Sequence, residues 1–222
     1  QLDPTQESYK DGDGYGDNTM GRLFDNCDGV PGTSCRDRRG CSDMDGDGQS
    51  DLQDAFMNQI TQCMDTDGDG LGDNWADNQT TATRSANWPG EYVENAYNPD
   101  PSPYDFDNDG YMDQMFESLG AIGPFDDCPL SAGYSWKDEV GCKDTDGDGY
   151  SDLFDSHKND WTQSSDPDRD GFGNNSSGNL PDGCPLTWGN STKDIYGCPD
   201  IYGDGWSYLS DYNDTNSLVW SD

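Results

Sequence analysis

Apolar side chains are sparse along this chain, and most of those that recur in a regular pattern occupy the same position in a repeated motif. They directly follow a glycine that ends a run of alternating aspartates: Tyr15, Leu71, Tyr111, Tyr150, Phe172 and Trp206, with Gln49 as the exception. Hydrophobic residues make up 30% of the sequence, so a large apolar core is not expected. No apolar run approaches the roughly 18 residues needed to span a bilayer. The pattern predicts a mostly irregular chain with short helical turns and few or no strands.

The polar positions around these residues follow one spacing, shown most fully by D-T-D-G-D-G-Y-S-D-L-F-D from Asp144 to Asp155. Carboxylates stand at positions 1, 3, 5 and 9, with a glycine at position 6. Alternate residues of a tight turn point inward, and Ca2+ takes about 6 to 8 oxygen ligands. The spacing therefore predicts a calcium-binding loop, and it occurs seven times along the chain.

Two kinds of loop, A and B, differ at position 8. The A loops have glycine or methionine there, and their candidate ligands are Asp11, Asp13, Asp17; Asp65, Asp67, Asp69, Asp73; Asp105, Asp107, Asp109, Asp113; and Asp166, Asp168, Asp170, Asn174. The B loops have serine there and usually an aspartate at position 12, and their candidates are Asp43, Asp45, Asp47, Asp51, Asp54; Asp144, Asp146, Asp148, Asp152, Asp155; and Asp200, Asp204, Asp211. Tyr9 stands at position 1 of the first A loop. Because Tyr202 and Tyr208 replace carboxylates in the last B loop, that loop should bind weakly or not at all.

Charge supports a need for cations and excludes several partners. Asp and Glu number 46 against 11 Lys and Arg, which gives a formal net charge of -35. Such a chain repels itself into an expanded coil unless cations neutralise it. With no basic patch, neither nucleic acid nor anionic lipid is expected as a partner. Aromatic residues at 12% and eight cysteines separate the chain from ordinary disorder.

The cysteines have a regular placement. Cys27 and Cys41, Cys128 and Cys142, and Cys184 and Cys198 are each 14 positions apart, and each second cysteine lies two residues before a B loop. Three local disulfides are predicted, with Cys35 and Cys63 joined to each other as the economical assignment. A thiolate metal site is the weaker alternative, since there is no C-x-x-C pair and one histidine. Disulfides at this density indicate an extracellular protein.

Loop spacing divides the chain into four units: 1–64, a degenerate unit 65–104 that lacks the cysteine pair and the B loop, 105–165, and 166–222. The B-to-A distance of 22 residues, continued from Asp200, places the first ligand of a further A loop at Asp222. We therefore expect the array to continue, or to be completed by a neighbouring chain.

The combination of D-x-D-x-D-G-x-x-D loops with D-x-C-P, as in Asp126-Asp127-Cys128-Pro129 and Asp182-Gly183-Cys184-Pro185, resembles the thrombospondin type 3 repeat family and its relatives on microbial surface proteins. The likeness covers most of the chain apart from residues 75–104. It implies a calcium-wrapped, largely irregular, solenoid-like rod in which disulfides and ions replace a core. The units are longer than in thrombospondins, and Asp28 follows Cys27 where proline is usual.

Other calcium-binding and catalytic classes fit less well. An EF-hand needs Glu at position 12, flanking helices and an apolar residue at position 8, whereas these loops have no Glu at position 12 and have Gly, Ser or Met at position 8. A dockerin-like module needs an amphipathic helix after the loop; residues 51–60 fit one, but the counterpart after Asp155 does not. A lone histidine, His157, gives no basis for a catalytic triad, so no enzyme is expected.

The sequence favours a secreted structural protein: a rod, or the subunit of an extracellular filament or surface layer that associates head to tail. The alternative is an adhesion module that binds a glycan or receptor through the 75–104 segment and exposed aromatic side chains. N-glycosylation sequons favour export, with Asn78 and Asn190 as the best candidates.

Overall fold

The structure is a computed structural model, and it describes residues 5, 8–77, 84 and 87–211. Within these residues regular structure is limited to a 3-10 helix, Gln114–Leu119, and two strands, β1 (Met112–Asp113) and β2 (Phe125–Asp126). The predicted mostly irregular chain is therefore confirmed. No helix in the described part of the chain is long and apolar enough to cross a membrane.

Backbone contacts divide the chain into two compact units. Unit 1 comprises Gln1–Asn108 and Met112–Ile122, and unit 2 comprises Asp109–Tyr111 and Gly123–Asp222. This division is based on backbone contacts in the structure. The division into four units is based on loop spacing in the sequence, and it stays a prediction.

The predicted short turns after the B loops are single hydrogen-bonded turns. The Gln53 N–H donates to the Ser50 carbonyl at 2.8 Å, and the Asp155 N–H donates to the Ser151 carbonyl at 2.9 Å. The 3-10 helix instead follows an A loop. Its Phe116 is buried and stacks on Tyr104 with ring centroids 5.3 Å apart. Gly120, at φ 117°, ends this helix, because a left-handed backbone favours glycine.

Most side chains that are fully buried are polar. Six serines are at most 1% exposed: Ser34, Ser50, Ser135, Ser151, Ser191 and Ser207. By contrast, Leu52 and Leu153 are 76% and 73% exposed. A buried polar group is tolerated only when it is hydrogen-bonded, so hydrogen bonds take much of the place of an apolar core.

The three predicted disulfides are formed: Cys27–Cys41, Cys128–Cys142 and Cys184–Cys198. A buried serine organises each of these disulfide turns. Ser191 accepts the Cys198 N–H at 2.9 Å through Oγ and donates to the Ile195 carbonyl. Ser34 and Ser135 make the equivalent pair of bonds in the other two turns.

The serine at position 8 of the B loops attaches each loop to the preceding disulfide turn. The Ser151 N–H and Oγ both donate to the Asp138 carboxylate, each at 2.9 Å to the nearer oxygen. Asp37 receives Ser50, and Asp194 receives Ser207, in the same way.

Glycine at position 8 of an A loop leaves room for a buried glutamine. A Cβ on Gly72 would lie 2.1 Å from Gln62 Cδ, and one on Gly173 would lie 2.1 Å from Gln163 Oε1. These two A loops therefore differ from the B loops at position 8 because they pack against a different partner, a buried glutamine instead of an aspartate of a disulfide turn.

Candidate metal centres

Position 1 of the loops shapes the turn. In the loop that begins at Asp144, Oδ1 accepts the Gly147 N–H and Oδ2 accepts the Gly149 N–H, both at 2.8 Å. Asp43, Asp65, Asp166 and Asp200 accept the equivalent pairs of backbone N–H groups. Position 1 thus closes the turn and brings positions 3 and 5 to one side of it.

Positions 3 and 5 each accept one backbone N–H through Oδ1. Asp146 Oδ1 accepts the Asp148 N–H at 3.1 Å, and Asp148 Oδ1 accepts the Tyr150 N–H at 2.8 Å. Position 3 keeps its second oxygen unused in several loops: Oδ2 of Asp11, Asp45, Asp146 and Asp168 is buried and accepts no hydrogen bond from the described residues. A buried carboxylate oxygen without a donor is costly, and a hard cation is the partner that its chemistry favours.

The structure brings the predicted carboxylates of several loops together. One oxygen from each member lies within 4.8 Å of the others in the groups Asp43–Asp45–Asp47 and Asp65–Asp67–Asp69. In the first A loop, Asp11 and Asp13 are joined by Asp25, a residue that the loop spacing does not single out. Acidic clusters that are able to hold a metal are therefore present in the described residues.

Position 9 lies at the closing edge of the loop. Asp152 Oδ1 accepts the Thr145 N–H, and its Oδ2 accepts the Thr145 hydroxyl, both at 2.8 Å. Asp73 makes the same two bonds with Thr66, at 3.2 and 2.6 Å. Asp51 and Asp17 likewise accept the backbone N–H of position 2. These bonds give position 9 a loop-closing role whether or not it also contacts an ion.

Position 12 of the B loops returns a carboxylate toward its own loop. Asp155 is 5% exposed, and its Oδ1 accepts the His157 N–H at 2.6 Å. Burial, together with the charges of Asp146 and Asp148, raises the pKa of Asp155. Burial and the carboxylates of Asp43, Asp45 and Asp47 raise the pKa of Asp54 to about 6. Each of these pKa values is raised because several carboxylates lie close together and away from water. A bound cation would offset their mutual repulsion.

The A loops receive the corresponding carboxylate from farther along the chain. Asp25, Asp100 and Asp182 are 6%, 1% and 6% exposed, and each accepts through Oδ1 the N–H of the residue two positions later, at 2.7 Å. Oδ2 of each is buried and accepts no hydrogen bond from the described residues. The loop spacing in the sequence does not include these three aspartates. The available signal was an aspartate two residues before the first cysteine of a pair, as at Asp25 and Asp182.

The remaining predicted ligands make hydrogen bonds that differ from one loop to another. Asp105 donates its backbone N–H to Asp67 Oδ2 at 3.2 Å, and Asp113 Oδ2 accepts the Phe106 N–H at 3.4 Å. Asp109 and Asp170, both at position 5, accept the N–H of a glycine in the following disulfide turn through Oδ2. Asp107 is partly buried, Asn174 donates its N–H to the Ser165 carbonyl at 3.0 Å, and Asp211 donates its N–H to Ser207.

The assignment of Cys35 and Cys63 to a fourth disulfide is not realised in the structure. Both are free thiols, Cys35 exposed and Cys63 buried. Burial, together with the charge of Asp47, raises the pKa of Cys63, so this thiol stays protonated at neutral pH. The equal spacing that identified the three other pairs does not extend to these two cysteines. They were assigned to each other only because they were the two that remained.

The two glycosylation candidates stay predictions. Asn190 is exposed, although its Oδ1 accepts the Asp200 N–H at 3.3 Å. Asn78 lies outside the described residues, as does Asp222, the expected start of a further loop.

No protein-family model matches the sequence, and no curated protein matches it. The candidate metal sites are therefore identified by the geometry of this chain alone.

Proposed function

We propose that this chain is an extracellular calcium-binding structural protein, similar in principle to thrombospondin type 3 repeats. One observation carries the proposal: in several loops the position-3 carboxylate keeps one buried oxygen, Oδ2, that accepts no hydrogen bond from the described residues, as at Asp45, Asp146 and Asp168. Unsatisfied buried polar groups each cost about 1–3 kcal/mol, more when charged. Bound Ca2+ would remove that cost, and the three disulfides would hold the loops in register.

Charge balance supports several ions. Seven loops with one Ca2+ each would change the formal net charge from -35 by 14, to -21, which leaves the chain acidic and soluble. Ion-free protein would retain the full repulsion, so we expect calcium to stabilise the folded chain by linkage.

We further propose that the chain forms a rod or the subunit of an extracellular filament or surface layer, through head-to-tail contacts between copies. The same serine-centred hydrogen bonds occur in three disulfide turns, which supports a linear array of similar units. A heterologous contact that does not close on itself generates a fibre. Electron microscopy in millimolar calcium and after chelation tests this; monodisperse single chains in calcium would contradict it.

Metal stoichiometry tests calcium binding directly. Purified full chain should bind several Ca2+ ions, and Asp146→Ala should bind one fewer, because Asp146 supplies the unsatisfied oxygen of its loop. Glu94→Gln, which removes an exposed carboxylate outside the loops, should bind the wild-type number. Wild-type protein that binds no calcium at millimolar concentration would refute the proposal.

Adhesion is a second candidate, favoured by the exposure of two aromatic side chains in the 75–104 segment. Tyr92 is 51% exposed and Tyr97 is 60% exposed, as stacking on a sugar ring requires. Other aromatic residues of the segment are used internally, since Arg84 lies over the Trp75 and Trp88 rings. A Tyr92→Ala/Tyr97→Ala variant that binds immobilised glycans as the wild type does would exclude this role for the two side chains. We propose no catalytic activity.

A further inference from the structure

Three of the A loops share one backbone frame around their position-8 glycine. Gly16, Gly72 and Gly173 each form a single parallel bridge, with Phe24, Pro99 and Pro181 respectively. The residue after each bridge partner is an aspartate, Asp25, Asp100 or Asp182, and its N–H donates to the glycine carbonyl at 2.8 Å in all three cases. The three aspartates therefore occupy the same place relative to their loops.

The chain takes a much longer route to this place in the second A loop. Nine positions separate Gly16 from Asp25, and nine separate Gly173 from Asp182, but 28 separate Gly72 from Asp100. The additional residues form an excursion, defined here as residues 73–99. Its aspartate nevertheless returns to the common position, although no cysteine follows it: Ser102 stands where Cys27 and Cys184 stand in the other two.

A buried glutamine fastens the base of the excursion. Gln62 Nε2 donates to the carbonyls of Asn74 and Tyr97, at 3.0 and 2.8 Å. Gln163 Nε2 donates to Asn175 and Asn179 in the shorter connection, both at 3.0 Å. Tyr97 and Asn179 are each three residues before the returning aspartate, so the two connections end in the same way. The excursion is an enlargement of a common connection, and its two ends are fixed.

Asp100 has an oxygen available to complete the loop cluster. Its side chain is 1% exposed, Oδ1 accepts the Ser102 N–H at 2.7 Å, and Oδ2 is buried without a hydrogen-bond donor among the described residues. In the first A loop the equivalent aspartate, Asp25, has an oxygen within 4.8 Å of oxygens of Asp11 and Asp13. Because Asp100 occupies the same place relative to its loop as Asp25, its carboxylate is expected beside the Asp65–Asp67–Asp69 cluster. Burial, followed by the charges of Asp67, Asp69 and Asp73, raises the pKa of Asp100 to about 7, which agrees with this placement.

We propose that Asp100 and the Asp65–Asp67–Asp69 cluster share one Ca2+ ion, which acts as a clasp between the second A loop and the chain that returns to it at Asp100. The inference rests on the proposed calcium binding and adds a ligand, Asp100, and a consequence: the contacts that Asp100 makes at the end of the connection depend on this one ion. The disulfide turn that follows the equivalent aspartate elsewhere is absent here, so the ion replaces it as the cross-link.

The clasp is connected to the aromatic side chains of the excursion through Arg84. The Arg84 guanidinium lies 4.4 Å from the centroid of the Trp75 ring and 5.5 Å from that of Trp88. It donates to the Asp100 carbonyl at 3.2 Å and to the Pro89 carbonyl at 3.0 Å. Displacement of Asp100 would therefore release Arg84, and trypsin cleavage after Arg84 would report the loss of these Arg84 contacts.

The test compares Asp100→Asn with the matched variant Asp182→Asn in the full chain. Asparagine keeps the Oδ1 acceptor for the N–H two residues later and removes the charge, so the local turn is retained in both variants. In millimolar calcium we expect each variant to bind one Ca2+ fewer than the wild type. Trypsin cleavage after Arg84 should accelerate by about tenfold or more in Asp100→Asn, because local opening controls proteolysis, and should stay at the wild-type rate in Asp182→Asn.

Each outcome decides the inference. An Asp100→Asn variant with wild-type calcium stoichiometry and a wild-type rate of cleavage after Arg84 would overturn it while leaving calcium binding by the chain intact. Equal acceleration in Asp182→Asn would show that cleavage reports general loosening and would refute a local clasp. Wild-type protein that binds no Ca2+ would refute the proposed function and the clasp together.

Discussion

Replacing the buried glutamine of an A loop should destabilise the two connections to different degrees. Gln62→Leu keeps the side-chain volume that packs against Gly72 but removes the bonds to the Asn74 and Tyr97 carbonyls and the acceptor for the Asn74 N–H, at 3.0, 2.8 and 3.0 Å. Each intramolecular hydrogen bond contributes about 1 kcal/mol net, so the loss is about 3 kcal/mol. Asn74 is 3% exposed, which prevents water from replacing the lost partner.

Gln163→Leu provides the matched comparison. Gln163 makes the same three bonds, at 3.0, 3.0 and 2.9 Å, but both of its partners, Asn175 and Asn179, are exposed, whereas of the two Gln62 partners only Tyr97 is. Water can satisfy those groups after the substitution, so we expect a smaller cost, about 1–2 kcal/mol.

Amide hydrogen exchange in saturating calcium measures both costs locally. The Asn74 amide should exchange about a hundredfold faster in Gln62→Leu, since a factor of ten corresponds to about 1.4 kcal/mol. The Asn175 amide should accelerate less in Gln163→Leu. Equal acceleration at the two amides, or an unchanged rate at Asn74, would refute the reasoning that burial of the bonded groups sets the cost.

Three further predictions concern the loops and the disulfide turns. Ser151→Ala removes the hydrogen bond from the Ser151 hydroxyl to Asp138, so it should lower the free energy of unfolding by about 1–3 kcal/mol. Denaturant titration in calcium measures this change. A change no larger than that caused by Ser156→Ala, at an exposed serine, would contradict the prediction. Replacing both Cys184 and Cys198 by serine removes a disulfide that links residues 14 positions apart, so it should lower the free energy of unfolding by about 3 kcal/mol. Calorimetry should also show weaker calcium binding at the adjacent loops. Undiminished stability would show that the ions alone hold this turn. In chelator, stability should fall as pH rises from about 4 to 6, because the pKa of Asp54 is raised from 3.8 to about 6 in the folded protein, which therefore holds this proton more tightly than the unfolded chain does over that range; a stability that rises over this range would contradict the sign.

Loop chemistry was visible in the sequence because it is local. The ligands that the spacing predicts for a loop lie within 12 positions, and glycine at position 6 marks the bend. The disulfides were predictable for the same reason, since their two cysteines are 14 positions apart and the interval occurs three times. Cys35 and Cys63 have no such spacing, and their assignment to each other was wrong in this structure.

Long-range partners could not be predicted. Asp100 follows Gly72 by 28 positions, and nothing in the intervening residues indicates that the chain returns to the same backbone frame as at Asp25. The position-8 difference between A and B loops was plain in the sequence, but its cause was not. Ser151 is paired with Asp138, which belongs to a disulfide turn, and Gly173 is required by Gln163, which precedes its loop.

The sequence by itself determined the irregular backbone, the acidic loops and the three local disulfides, because each depends on residue types within a short span. Tertiary structure decided which carboxylate completes each A loop and which polar side chains are buried between loops. These depend on where the backbone returns in space, as at Asp100, and on which hydrogen bonds are sheltered from water, as at Gln62. Both are properties of the folded path and are not encoded in any local spacing.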